Sequence, residues 1–498
     1  MISSRESQVG QIKVTAQYMF QAACVIIIGL FYMLTLREGH DWGSDFALYI
    51  AHAKNIALGL PYAETGYIPN PYSPNLSPVA YPPVFPFLLS PIYRAFGLDM
   101  HVMKIAVISI MLCMLVVFML YARRSLKNDS SVYLCFLVVG FSPWLWDIRD
   151  QVISEFPFML FLLAALLLSE KALALGGQKG RKWLFYALAA GVSIYLAYGT
   201  RTLGGLLVPV IIFFDFQRQR KISLPTIIII ITFSLLFFVH YQNFHSEKAY
   251  SSIISLYTRE VFLKNLIEYS VSMVSYWYSP GVGRIAAVLV FLGTFLLFVI
   301  GWINSLLSKN SIGSIFILLY VIVLILAPVS GGIRYLAPIM PLYLLYIFVG
   351  GEVLGRWIKV RQGSAVPLLI ASVILVANAF WYKDHFRDAI SDGPYTRSSL
   401  ELFAFVKEHT DAKSIFIFRK PRAFALYTGR KATPPTDPGL QGLLWKHIKN
   451  IGVTHVIIKY AGSSLIDANY QQEWVEKNRG LLEVIFENDQ FRLYKIVE

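Results

Sequence analysis

Ionisable side chains are scarce in this 498-residue chain, so where they fall is informative: 15% of residues are charged and 56% hydrophobic. Glu38, Asp41 and Asp45 crowd together just beyond an apolar run, and Asp147, Asp150 and Glu155 form a second acidic group. Glu155 enters an apolar segment in SEFPFMLF, where a carboxylate is expensive unless it is paired or faces a wet cavity. Asp45, at the rim of an apolar body, has the chemistry of a general base toward a hydroxyl. Arg201 in YGTRTLGG and Arg334 in SGGIRYLAP each stand alone at an apolar boundary. A guanidinium offers paired donors that fit a phosphate, so two of them near acidic loops suggest a phosphate-bearing substrate.

Each of these residues also has a plainer reading. Asp45 can cap the amides of the helix that begins at Phe46, and Asp41 competes with it for the role of base. Glu155 and Asp150 flank a helix start, where an acid suits the macrodipole, and Asp147 with Arg149 reads equally as a surface pair. Single arginines at an interface often extend to the headgroups. Lys54 and His52 either contact phosphate or face solvent, and solvent is preferred for His52.

The elements that must hold these residues are mainly apolar helices. Segments near 15–36, 102–122, 131–146, 155–169, 183–199, 203–216, 223–240, 285–303, 312–329, 336–350 and 365–382 have the length and character of membrane spans. This predicts a polytopic α-helical membrane protein with about 11 transmembrane helices. A transmembrane domain over 1–382 includes a structured first external loop, 37–101. In that loop Asp45 opens an amphipathic helix carrying Phe46, Tyr49, Ile50, Ala53, Ile56 and Ala57 at helical spacing. Pro82–Phe96 is apolar but contains four prolines and Arg94, and reads as lying along the surface. Dense basic clusters at Arg123-Arg124-Lys127, Lys171 with Lys179-Arg181-Lys182, Arg218-Arg220-Lys221 and Arg356-Lys359-Arg361 then fall on one side, and most carboxylates on the other. The positive-inside rule predicts a cytoplasmic N-terminus and an external C-terminus. No cleavable signal is expected, because Ala16–Leu36 has the length of a span. The stretch Tyr241–Arg284, with Tyr250, Tyr257, Tyr269, Tyr276, Trp277 and Tyr278, reads as a lid or lipid-facing rim.

After Tyr382 the composition is that of a soluble protein, which predicts a C-terminal external α/β domain over 383–498. Strands are expected at Ser414–Phe418, Thr454–Tyr460, Leu482–Glu487 and Phe491–Val497. Helices are expected from Ser398-Ser399 to His409, at Leu440–Asn450 and at Asn469–Asn478. No phosphate-binding glycine loop or histidine-rich metal pattern is present in it. Cys24, Cys113 and Cys135 all lie in apolar runs with no CxxC, so neither a disulfide framework nor a zinc site is supported. The net charge of +14 follows the topology and does not point to nucleic acid.

The acidic first loop WGSDFALYIAHAKNIALGLPY, the return YPPVFPFLLSPIYRAFG, the SEFPF acid and the late RYLAPIMP resemble the GT-C glycosyltransferase superfamily. The resemblance covers roughly residues 15–350. It is narrowest to the branch of protein O-mannosyltransferases and the lipid A aminoarabinose transferase. It implies a sugar donor on polyprenyl phosphate, an acceptor lipid, glycan or protein, and inversion at the anomeric carbon. The catalytic set it implies is Asp45 as base and Glu155 as the second-loop acid; Asp150 joins them as a candidate from its place in the second acidic group. Relatives commonly have Asp where Glu155 stands. It implies Arg201 and Arg334 as the residues that hold the donor phosphate; Lys54 and Tyr81 are further substrate-binding candidates on the first loop. No cofactor is required, and a divalent cation between Asp45 and Asp150 or Glu155 is the minor alternative. The aminoarabinose transferase carries an acidic–basic pair before its Pro-Pro where this chain has Ala80-Tyr81, so an amino sugar is not indicated. The implied location is a bacterial inner membrane, multi-pass, with the C-terminal domain in the periplasm.

A lipid-linked sugar flippase or transporter is the alternative function, and a non-catalytic membrane scaffold a third. Transporters usually show related halves and mid-membrane polar residues; no internal repeat is evident here, and the ionisable residues lie at boundaries.

Overall fold

A computed structural model describes residues 19–43, 45–73, 78–176, 178, 180–244, 259–309, 311–327, 331–359, 364–386, 390–460 and 465–497. The membrane body comprises α1 (Met19–Leu34), α2 (Asp45–Leu58), α3 (Val84–Phe96), α4 (Met100–Ser125), α5 (Asp129–Gly140) and α6 (Pro143–Asp147). It continues with α7 (Glu155–Leu175), α8 (Lys182–Thr200), α9 (Leu207–Gln219), α10 (Leu224–Phe244), α11 (Arg259–Ser275), α12 (Arg284–Leu307) and α13 (Ile312–Leu326). The body closes with α14 (Ile333–Leu336), which runs through a 3-10 turn into α15 (Met340–Trp357), and with α16 (Ala365–His385).

Eight of these stretches are long and apolar enough to cross a membrane. The other three expected segments are shorter over the described residues: α1 is described from Met19, α13 is a 15-residue apolar helix, and the 203–216 segment begins as a 3-10 turn and continues as the 13-residue α9. Gly204 and Gly205 at that turn supply no side chain to sustain an α-helix, which explains the break. The Tyr250 and Tyr257 part of the expected lid lies outside the described residues. The remainder, α11, lies along α12 and α13, and its Asn265 amide donates to the Ile325 and Ala327 carbonyls (3.2 and 2.6 Å).

Close approach of α12 and α15 is set by glycine. A Cβ on Gly301 would meet the Tyr346 carbonyl, and one on Gly350 would meet the Leu297 carbonyl. Small residues facing each other let backbones meet where lipid provides no hydrophobic drive of its own.

The C-terminal domain adds α17 (Arg397–His409), β1 (Ile415–Ile417), α18 (Pro421–Thr428), β2 (Lys431–Thr433), α19 (Leu444–Ile451), β3 (His455–Lys459), α20 (Leu465–Lys477), β4 (Leu482–Glu487) and β5 (Phe491–Ile496). Its sheet runs β2-β1-β3-β5-β4, parallel across the first three strands and antiparallel across the rest. The four expected strands and three expected helices are present. The three-residue β2 and the α18 that precedes it were not foreseen, being too short for periodicity to register.

The domain is docked on the first loop. The exposed edge of β2 is taken by the loop: Ile68 N–H donates to the Ala432 carbonyl and Ala432 N–H to the Gly66 carbonyl, both at 2.9 Å. Trp42 from the loop inserts its ring among Phe403, Phe418 and Phe491, and its indole N–H donates to Asp392 (2.8 Å). Gly393 lies so close to the His40 carbonyl that a Cβ would strike it. One continuous apolar core therefore runs from the membrane helices into the domain.

Replacing Gly350 with valine is expected to separate α12 from α15 and to lower the thermal midpoint in detergent by several degrees, an overpacking cost of about 1–3 kcal/mol. An unchanged midpoint in scanning fluorimetry would show that the two backbones are not held in contact.

Candidate functional site

Five of the singled-out residues converge where α2, the turn before α3, the start of α7, the loop after α8 and the start of α14 meet. Asp45 is the first residue of α2; its Oδ2 accepts from Arg334 Nη1 at 2.6 Å and its Oδ1 from the Tyr81 hydroxyl at 2.5 Å. Arg334 Nε donates in turn to Glu155 Oε1, which also accepts from Arg201 Nη1 at 2.9 Å. Arg334 thus bridges two carboxylates whose sequence positions are 110 residues apart (155 minus 45). Arg422, from α18, lies 3.5 Å from Asp45 Oδ1 and donates to the Tyr81 oxygen at 2.9 Å. Two carboxylates against three guanidinium groups leave the cluster with a net charge of +1.

Local structure explains the placement. The Asp45 helix is buried along most of its circumference, including His52 and Asn55. The Asn55 amide donates to the Pro61 and Glu64 carbonyls (both 3.0 Å), folding the chain back after the helix. Tyr81 is then held from three sides: its ring stacks on Tyr49 (4.7 Å), its N–H donates to His52 Nε2 (3.2 Å), and its carbonyl accepts from the Tyr62 hydroxyl (2.8 Å). Because Nε2 of His52 accepts, Nδ1 must carry the proton it gives to the Tyr62 carbonyl (2.8 Å). Burial pushes His52 down to about 4.

Asp45, Tyr49, Tyr81, Arg201, Arg334 and Tyr335 line a cavity of about 320 Å³. Leu324 forms part of its wall and also part of the wall of a larger apolar groove, about 750 Å³, between α11, α12, α13 and α15. A cationic pocket and an apolar groove thus share a boundary. The Asp45 side chain is 23% exposed and that of Glu155 0%, so only the former is accessible from the cavity. Burial by itself would raise the Asp45 carboxyl, but Arg334, the Tyr81 hydroxyl and Arg422 outweigh it and hold the group below the ordinary carboxylate value. Burial, and secondarily Asp45, hold the Tyr81 hydroxyl protonated well above the ordinary phenol value.

Other expected residues lie elsewhere. Asp150 is 2% exposed and does not line the cavity. It holds Arg37 (Nε at 2.5 Å), Arg149 (Nη1 at 3.1 Å) and Lys104 (Nζ at 3.7 Å), pinning the start of the first loop to α4 and to the turn after α6. Its position in the sequence, beside the membrane boundary, resembles that of a catalytic acid; only the fold shows three cations around it. Lys54 is half-buried on α2 and is not among the cavity-lining residues. His52, expected in solvent, is instead fully buried against Tyr62 (ring centroids 4.2 Å). The helical period misleads there because α2 is covered on several faces. Sequence reasoning missed Arg422, which sits in the C-terminal domain with no motif around it. Among the described residues no group of three or more His, Cys, Asp or Glu is arranged to hold a metal ion. The position between Asp45 and Glu155 is occupied by a guanidinium.

Three comparisons bear on this site. The family model for dolichyl-phosphate-mannose-protein mannosyltransferase matches residues 80–242, about a third of the chain. The chain is similar in structure to ArnT from Cupriavidus metallidurans bound to undecaprenyl phosphate: TM-score 0.61, 11% identity, covering 97% of this chain and 98% of that one. It is also similar to the Archaeoglobus fulgidus oligosaccharyltransferase tethered with an acceptor peptide (TM-score 0.59, 11% identity, 88% of this chain and 69% of that one). A third likeness is to the arabinofuranosyltransferase AftD from Mycobacteria (TM-score 0.56, 11% identity, 96% of this chain and 42% of that one). No curated protein sequence matches the chain. At these identities the likeness is one of fold: the chain shares the fold of these glycosyltransferases, and residues 80–242 match the mannosyltransferase family model.

Two outcomes test the site's construction. Asp150→Asn leaves three cations around an uncharged amide, two of them fully buried, and should cost about 3–5 kcal/mol of stability. Asp45→Asn leaves Arg334 still paired with Glu155 and should cost far less; equal losses in thermal unfolding would contradict the assignment of Asp150 as a pin. For His52 the folded state disfavours the proton, so its contribution is complete above pH 6.5 and is lost as pH falls from 6.5 toward about 4. Amide exchange at Tyr81, corrected for its intrinsic rate, should rise through that window, and a flat profile would dissociate His52 from Tyr81.

Proposed function

We propose that this chain is a membrane glycosyltransferase that moves a sugar from a polyprenyl-phosphate donor to an acceptor hydroxyl on the outer face of the membrane. The observation that supports this best is the shared boundary of two spaces. One holds Asp45, Arg201 and Arg334, and the other is an apolar groove large enough for part of a lipid chain. A phosphate ester on a lipid tail needs both together. The ArnT neighbour was solved with undecaprenyl phosphate, which agrees with this reading.

Asp45 is the general base. It is the acidic group exposed to the cavity, and its low pKa keeps it ionised at neutral pH. The acceptor O–H gives its proton to Asp45 as its oxygen bonds to the anomeric carbon. The bond from that carbon to the phosphate oxygen breaks, and polyprenyl phosphate leaves with the electron pair. Attack from the face opposite the leaving group inverts the anomeric centre. Arg201 and Arg334 meet the charge that develops on the departing phosphate, an electrostatic stabilisation that needs no metal. Arg334 has a second consequence. While it holds Asp45 Oδ2 it weakens Asp45 as a base, and a donor phosphate that draws Arg334 away restores that basicity. Glu155, fully buried, keeps both arginines oriented. The N-terminus lies in the cytoplasm and the C-terminal domain in the periplasm, on the placement of the basic clusters.

Purified protein should release polyprenyl phosphate from one of a panel of polyprenyl-phosphate sugars when offered acceptor, with release insensitive to EDTA. Asp45→Asn should lower turnover by about 10²-fold or more, and Arg201→Gln should mainly weaken donor binding. Because the Asp45 pKa lies below the ordinary 3.8, kcat/KM should be flat from neutral pH down to that value before falling. Undiminished release by Asp45→Asn would overturn the assignment of the base. Transport of an intact donor across liposomes without cleavage would favour the flippase reading.

A further inference from the structure

We infer that Arg422, a residue of the soluble C-terminal domain, is a positioning residue for the Asp45 carboxylate and acts through the hydroxyl of Tyr81. The inference rests on the glycosyltransferase reading only for its kinetic consequence; its geometric content stands apart from it.

Arg422 is 3% exposed, and a buried guanidinium is costly unless paired and hydrogen-bonded. Among the described residues its partners all lie outside its own domain. Nη1 donates to the Tyr81 oxygen (2.9 Å), Nη2 donates to the Pro78 carbonyl (2.7 Å), and the guanidinium carbon sits 4.8 Å from the Tyr67 ring centroid and 5.2 Å from that of Tyr81. Among the described residues, the one carboxylate within 4 Å is Asp45, at 3.5 Å. All four partners belong to the first loop and the helix it contains. An arginine that served only the stability of its own domain would find its counter-charge there. This one is placed for what lies across the interface.

The direction of the hydrogen-bond chain follows from the groups. A guanidinium only donates and an ionised carboxylate only accepts, so the Tyr81 oxygen takes a proton from Arg422 and gives its own to Asp45 Oδ1. A phenol whose oxygen is already accepting from a cation is a stronger donor, and it both orients Asp45 and withdraws charge from it. The mount is rigid. Beside Arg422, β2 is hydrogen-bonded to the loop at Gly66 and Ile68, Asn70 donates to the Pro434 carbonyl (3.0 Å), and Asp437 N–H donates to the Tyr72 carbonyl (2.9 Å). Lifting the domain from the loop would remove Arg422 and loosen Tyr81 in one step. The groups facing Asp45 from the packed elements are Arg334, Glu155, Tyr49, Tyr81, Arg422 and Lys420. Of these, Arg422 and Lys420 belong to the domain, and Arg422 is the one joined to Asp45 by a hydrogen-bond chain.

The test reads Asp45 directly. Infrared pH-titration difference spectra of the full-length protein, with the Asp45→Asn spectrum subtracted, report protonation of this carboxyl without turnover. Arg422→Gln is expected to raise the midpoint by about one pH unit. Arg422→Lys, which keeps the charge but loses the fork that spans Tyr81 and Pro78, should return most of it. In a Tyr81→Phe background, Arg422→Gln should add less than it does in the wild type, because the path through the hydroxyl is gone. In the transferase assay the acid limb of kcat/KM should move up with the infrared midpoint, whereas a merely structural arginine would lower activity evenly across pH. An unmoved midpoint in a folded Arg422→Gln protein overturns the proposal, and so does full additivity with Tyr81→Phe. If Arg422→Gln does not fold, Arg422→Lys decides: a residual rise in the midpoint that vanishes in a Tyr81→Phe background supports the proposal, and an unmoved midpoint, or a rise that persists in full in that background, overturns it. A wild-type protein that transfers no sugar would overturn the function proposed above, while the infrared titration would still decide the role of Arg422.

Discussion

Two carboxylates and a guanidinium between them organise this molecule. Glu155 stands at the start of a membrane helix with no exposure to solvent, and an ionised group there is tolerable only because Arg201 and Arg334 both reach it. Arg334 extends the arrangement to Asp45, which the first loop presents from the other side. Without that bridge, like charges would face each other across a low-dielectric gap. With it, α2, α7, α14 and the loop after α8 are held in one place, and a cationic cavity opens beside an apolar groove. Charge pairing that stabilises the fold is therefore the same pairing that lines the cavity beside the apolar groove.

A second layer supports the first through neutral groups. Tyr81 lies between His52, Tyr62 and Tyr49 on one side and Arg422 on the other, and its hydroxyl is the donor that completes Asp45. The neutral tautomer of His52 matters here because its accepting nitrogen faces a backbone N–H. The layer spans three parts of the chain that share no sequence proximity. It links protonation of a buried imidazole, docking of a soluble domain and the state of one carboxylate. The loop edge added to β2 and the Trp42 wedge give this layer a rigid base. Separating the domain from the membrane body would expose a strand edge and an aromatic pocket together.

Much was legible from residue types because the membrane penalises exceptions. An acid at Glu155 or an arginine at Arg334 within apolar sequence demands a partner or a cavity, and the structure brings them together. The same logic misplaced Asp150, since a boundary carboxylate looks alike whether it faces a cavity or three buried cations. It also assigned Lys54 to a site it does not line and His52 to solvent. In both cases α2 was read as having one wet face, whereas the loop and the C-terminal domain cover much of it.

Sequence alone determined the class of the protein: apolar periods, the segregation of basic clusters and a change of composition after Tyr382 mark a polytopic helical body with an appended α/β domain. Those are local properties, set by the cost of placing each side chain in lipid or water. Tertiary structure decided which charges meet. Arg334 reaches both Asp45 and Glu155, Asp150 is enclosed, and Arg422 crosses from the C-terminal domain to the Tyr81 hydroxyl. A hydrogen-bonded ion pair requires donor and acceptor within about 3 Å, and separations that short between residues hundreds of positions apart exist only once the chain has packed.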